Sequence, residues 1–284
     1  MSDLSLSEPS TGERSGLGNL PPRALIVTVY GLYAREAGGW LGVRTLVRLM
    51  AEVEVEEAAV RSSISRLKRR GILLPERLEG RAGYALSEHA RGILDEGDRR
   101  IFSRERASLD DGWVLAMFSV PESQRQRRHV LRSRLAWLGF GSVSSGVWIA
   151  PRHLEEETRE ALARDDLLGY VDLFHATFAD PADLQAKVAT WWDLTTLSAQ
   201  YSTFDAEFAP LLTSPRRPDT DARAFADYVR ALTAWRRLPF LDPGLPTELL
   251  PDDWAGMRAE QTFVRLSELL GDRAHDFVAS LHLG

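Results

Sequence analysis

Apolar residues recur along the N-terminal third at helical spacing, and the pattern divides it into distinct elements. Leu25, Val29 and Leu32 fall at i, i+4 and i+7, with Ile26, Tyr30 and Tyr33 as a second apolar flank. This predicts a helix over 22–37, buried on more than one side, opening at Pro21-Pro22 and ending at Gly38-Gly39. A second helix is predicted over 43–51, with Val43, Leu46, Val47 and Met50 inward and Arg44 and Arg48 outward. A third, over 56–70, places Val60, Ile64 and Leu67 on one face and stops at Gly71. Ile72-Leu73-Leu74 and Tyr84-Ala85-Leu86 then bracket Glu79-Gly80-Arg81-Ala82-Gly83, a β-hairpin with turn residues at its tip. Ser87 is placed to cap a connecting helix through about Phe102.

From 112 to 179 the period changes. Trp113–Val120 is a continuous apolar run of strand length, followed by a helix over 122–138 with Leu131, Leu135 and Leu138 inward. Short strands are predicted near 140–143 and 146–150, a helix at 153–168 and a closing strand at 170–178. The order β-α-β-β-α-β is that of a ferredoxin-like domain. Beyond 180 the pattern is helical. Leu197, Tyr201, Phe204, Phe208 and Leu211 predict one long helix over 183–212, broken by Ser214-Pro215-Arg216-Arg217-Pro218. Helices near 221–237 and 258–281 flank a proline-rich loop, Leu238–Trp254.

The expected architecture is therefore α+β and multidomain. A tail over 1–20, expected to be disordered, precedes a winged helix-turn-helix domain over 21–106, a ferredoxin-like domain over 107–179 and a helical domain over 180–284. No apolar run is long enough to span a membrane, and the first residues lack an apolar signal core. With no cysteine, disulfides, thiolate zinc sites and cysteine nucleophiles are excluded, and a cytoplasmic protein is expected.

Charge sharpens the picture at the third helix. From Arg61 to Arg81 seven Lys/Arg stand against Glu76 and Glu79, a local +5 in a chain of net −6. An isolated basic amphipathic helix is usually a solvated face. Here two helices precede it and a hairpin follows, the order of a DNA-reading winged helix. Arg61, Ser62, Ser63 and Arg66 are expected toward base edges, with Ser65 on the same outer side. Lys68, Arg69 and Arg70 are expected at phosphates, Arg81 of the wing on adjacent backbone or minor groove, and Arg44 and Thr45 as backbone clamps. Region 180–284 carries ten Lys/Arg against sixteen Asp/Glu, a net −6, and is a better ligand or dimer module than a DNA surface.

Other constellations are weaker. Arg125, His129 and Arg132 form a polar stripe on the first helix of the middle domain, usually a wet face, otherwise a contact for phosphates of DNA or of an effector. Trp192 and Trp235, in the tryptophan-rich C-terminal region, are usually core, otherwise the lining of an aromatic effector site. Gly139–Gly146 runs on into Val147-Trp148-Ile149-Ala150, so a hairpin turn is expected and not a phosphate loop. The middle domain resembles the small nuclease-like subunits of CRISPR adaptation, which need a metal-binding acid at the end of their first strand. Here that strand ends Phe118-Ser119-Val120-Pro121, and the six histidines show no metal spacing. No catalytic constellation is found, and an enzyme, a metal site or a resident cofactor is not expected.

Arg23–Gly31 and the Val60–Leu67 core resemble the winged helix of the PaaX family of phenylacetate-catabolism repressors. Trp235-Arg236-Arg237-Leu238-Pro239-Phe240-Leu241-Asp242-Pro243-Gly244-Leu245-Pro246, followed by Leu249–Trp254, resembles that family's most distinctive stretch, and the likeness covers about 22–282. The resemblance implies a dimeric repressor that binds a partly palindromic promoter element and is released by phenylacetyl-CoA. The residues leave two alternatives open: a repressor or activator answering a different acid or acyl-CoA, and a winged helix that binds only protein.

Overall fold

The computed structural model describes residues 20–36, 38–103, 105–179, 181–213 and 220–281. The expected disordered tail, save its last residue, and the Ser214–Pro218 break lie outside the described residues. The chain forms two compact units that do not follow sequence order. One holds residues up to Arg99 with Ser202–Arg237 and from Met257 onward; the other holds Arg100–Tyr201 with Leu238–Gly256. The segment expected as one helical domain is thus shared between both.

In the first unit, α1 (Pro22–Val29) runs on through a π-helical turn, Tyr30–Ala34, and packs on α3 (Glu57–Arg69) and α9 (Asp221–Trp235). The contact with α9 includes a buried hydrogen bond from the Thr233 hydroxyl to Thr28 Oγ1 at 2.8 Å. α2 (Val43–Glu52) closes the group, with Leu46, Leu49 and Met50 fully buried. Three strands follow the order β1 (Trp40–Gly42), β3 (Arg81–Leu86), β2 (Leu73–Leu78), all antiparallel. The first had no signal in the sequence, being only three residues long. β2 and β3 meet in a two-residue turn at Glu79 (φ 50°) and Gly80 (φ 79°), the left-handed pair that suits the twist of a hairpin. Ser87 caps α4 (Glu88–Phe102), its Oγ accepting from Ala90 N at 3.1 Å.

In the second unit, β4 (Trp113–Phe118), α5 (Arg125–Trp137), β5 (Gly141–Ser144), β6 (Val147–Pro151), α6 (Glu155–Arg164) and β7 (Val171–Ala176) follow in that order. The sheet order is β5-β6-β4-β7, every pair antiparallel. Val114, Ala116, Trp148 and Ala150 bury one face with Leu131 and Leu135 of α5 and Ala161 and Leu162 of α6. Trp113 and Ile149 bury the other beneath Leu184 and Val188 of α7 (Leu184–Trp191) and Leu245, Leu249 and Leu250. The proline-rich stretch also carries the short α10 (Leu238–Leu241), whose Phe240 stacks on Trp137 at 4.7 Å.

The single helix expected over 183–212 is two. α7 ends at Trp191, Trp192 is extended, and α8 (Leu194–Thr213) begins anew with Asp193 accepting from Thr196 N at 3.0 Å. The apolar spacing continues through the break, which is why periodicity concealed it. α11 (Gly256–Ser280) completes the chain's helices. Among the described residues no helix is long and apolar enough to cross a membrane, and no group of three His, Asp or Glu could hold a metal ion.

Candidate nucleic-acid interface

The basic helix α3 is held from inside and capped at its C-terminus. Val60, Ile64 and Leu67 are at most 4% exposed, and each such burial contributes about 1.5–3 kcal/mol. Glu57 stands in its first turn and Arg66, Lys68 and Arg69 in its last, so both ends complement the helix dipole. At the C-terminus Gly71 N donates to Lys68 O at 2.9 Å and Ile72 N to Leu67 O at 3.0 Å. This Schellman pair needs a left-handed residue, and Gly71 (φ 69°) supplies it. The chain then enters β2 directly, which fixes the hairpin relative to α3.

The approach to α3 is built alike but with a different residue at the turn. Val55 N donates to Met50 O and Glu54 N to Ala51 O, both at 3.0 Å, so α2 ends in the same motif. Its left-handed position is Glu54, at φ 62°, where a side chain costs about 1–2 kcal/mol relative to glycine. Arg230 of α9 reaches this residue, Nη1 to Oε2 at 3.1 Å.

Ser62, Ser65, Arg66, Lys68, Arg69 and Arg70 all lie exposed. Ser62 and Ser65 precede the cations Arg66, Lys68, Arg69 and Arg70 along the helix. Arg66, Lys68, Arg69 and Arg70 have no carboxylate partner among the described residues. Arg61 is exposed but held by Glu57 four residues back, Nε to Oε1 at 2.8 Å. Arg44 is exposed at the start of α2 and Thr45 half-buried. Arg81 flanks the hairpin turn and pairs with Glu79 at 2.8 Å, which partly neutralises the tip.

One expectation needs correction, and two tryptophans take the more usual of their two readings, as core. Ser63 does not face outward: it is 7% exposed, three residues after Val60 and four before Leu67 on the inward side of α3. Trp235 is 1% exposed and stacks on Phe263 at 4.8 Å in the first unit. Trp192, in the second, is 9% exposed, 6.2 Å from Trp113, with its indole N–H on Gly139 O at 2.9 Å. Both rings are occupied by core packing. Arg125, His129 and Arg132 are exposed together on α5.

Three family models match the chain in sequence order. They are a PaaX-like protein model over 21–90, the PaaX protein central Cas2-like domain over 106–188, and the PaaX-like protein C-terminal domain over 192–280. The chain belongs to the PaaX family. Among curated relatives, this PaaX-family chain is similar to the transcriptional repressor PaaX of Escherichia coli (strain K12), 28% identical over 262 residues, covering 90% of this chain and 82% of the relative. Its fold is similar to that of an uncharacterized protein from Mycobacterium tuberculosis, with TM-score 0.58 at 23% identity, covering 92% of this chain and all of that one.

Sequence reasoning missed the link from Arg230 to Glu54. It joins residues 176 positions apart, and no local pattern announces it.

Proposed function

We propose that this PaaX-family protein is a DNA-binding transcriptional regulator, a dimeric repressor of a phenylacetate or aromatic-acid catabolic operon released by phenylacetyl-CoA. One observation carries the DNA half: a helix buried on one side and capped at its C-terminus exposes Ser62 and Ser65 beside Arg66 and Arg69, which have no carboxylate partner among the described residues. Short hydroxyls and a guanidinium suit base edges in a major groove, and the cations of the last turn suit phosphates. The hairpin β2–β3 acts as the wing of a winged helix-turn-helix. The second unit serves as a ferredoxin-like body, a reading supported by its element order and its β5-β6-β4-β7 sheet.

One short helix reads too few base pairs for operator specificity, so two copies on a partly palindromic site are expected. The name of the Escherichia coli relative supports repression. The effector reading rests on family likeness. For release, the thioester must bind the non-binding conformation more tightly than the operator-bound one.

The test is a titration of the purified protein against its own upstream intergenic DNA, with and without phenylacetyl-CoA, at two salt concentrations. Salt-steep, sequence-selective binding that the thioester abolishes is expected. Binding indifferent to the thioester would retain the regulator and discard the effector. A second reading, a winged helix that docks on protein, draws on Leu74 and Leu78, 48% and 44% exposed along β2. It would prevail if no duplex were bound at any salt concentration.

A further inference from the structure

Helix α5 carries six basic residues, and they fall into two groups. Arg127, Arg128 and Arg134 are each held by a carboxylate: Asp166 at 3.1 Å, Glu122 at 3.1 Å and Asp165 at 2.8 Å. Arg125, His129 and Arg132, at i, i+4 and i+7, share the outward face and have no carboxylate partner among the described residues. In a chain with 41 Asp/Glu against 35 Lys/Arg, three such residues in a row two helical turns long, beside the Arg128–Glu122 pair, are a placed feature. Arg132 is steadied by the ring of Trp148, 5.9 Å from its guanidinium.

We propose that this stripe is a second DNA contact, gripping backbone phosphates outside the site read by α3. The proposal rests on the DNA-binding function above and extends it. Its shape separates it from an effector pocket. The surface is open and shallow, lined by Arg125, Arg128, His129, Arg132, Ser133 and Ala136, with no aromatic or branched aliphatic wall to enclose an acyl group. Arg125 and Arg132, about 10 Å apart along the helix with the His129 ring between them, match a linear array of phosphates, the ligand that needs charge without enclosure. Such contacts add affinity and orientation and carry no sequence information.

The experiment titrates full-length wild type, Arg125→Ala and the double variant Arg125→Ala/Arg132→Ala with operator duplex and with unrelated duplex across a salt series. The double variant should bind both duplexes more weakly by the same factor. Its plot of log affinity against log salt should be shallower by about 2 per protomer, and that of Arg125→Ala by about 1. Thermal melting should match wild type. Arg125→Ala, which removes no ring contact, serves alone if the double variant melts early. In parallel, coenzyme A is titrated against each protein. A wild type that binds operator while both variants keep its affinity and salt slope would overturn this proposal alone. So would an unchanged DNA slope accompanied by loss of coenzyme A binding, which would assign the stripe to a nucleotide. A wild type that binds no duplex would overturn the DNA-binding function, and this contact with it.

Discussion

Arg230 donates to Glu54 at 3.1 Å, and Glu54 is the left-handed residue on which the chain turns from α2 into α3. A helix from the C-terminal part of the sequence thereby holds the turn that aims the basic helix. The pair is exposed on the Glu54 side and contributes under about 1 kcal/mol, so its work is positional.

Glu54→Gly and Glu54→Ala both remove that pair, but only glycine relieves the φ of 62°. Urea unfolding should find Glu54→Gly more stable than Glu54→Ala by about 1 kcal/mol. Equal stabilities would mean that the turn stores no strain.

Ser63 and Arg66 lie on opposite sides of α3 and should separate cleanly in a mobility-shift assay. Arg66→Ala should weaken operator binding by about 1–3 kcal/mol and relax preference at one position. Ser63→Ala, inside the fold, should leave operator affinity unchanged. The reverse pattern would show that this helix does not present its exposed side to DNA.

Trp235→Ala should cost about 3–5 kcal/mol in denaturant unfolding, because it empties the space between Phe204 and Phe263. A small stability loss with loss of effector response would instead restore a ligand role to this ring.

Burial raises the Glu207 carboxyl above its ordinary range, with Arg230 opposing. A raised acid binds its proton more tightly in the folded state, so that contribution is complete at acid pH and is lost as pH rises through the folded value. Glu207→Gln mimics the protonated form. Its melting temperature should exceed that of wild type at neutral pH, and the gap should close on acidification. A gap independent of pH would mean that the carboxylate is not penalised by its surroundings.

The order of helices, hairpin and middle-domain strands was legible because each element keeps its period: α3 lies within one residue of its predicted span at each end. Three kinds of feature were not legible. The break at Trp192-Asp193 lies within an unbroken apolar spacing, and only the new cap at Asp193 marks it. Ser63 is small enough to be buried on an apolar face without altering the hydrophobic pattern, so side-chain polarity misassigned it. The Arg230–Glu54 link and strand β1 depend on residues far apart in sequence meeting in space. At the candidate interface, exposure of Arg66, Lys68, Arg69 and Arg70 followed from helical projection, whereas the pairing of Arg61 and Arg81 with nearby glutamates required coordinates.

Gly83 on β3 has no side chain because the indole of Trp40 occupies that place: a Cβ there would stand 2.3 Å from the ring. The same indole begins on β1, crosses β3 and directs its N–H at the Glu76 carbonyl of β2, 3.4 Å away. A single aromatic plate thus ties all three strands across bare backbone. The base of the hairpin that carries Arg81 is therefore fastened by a residue 41 positions upstream.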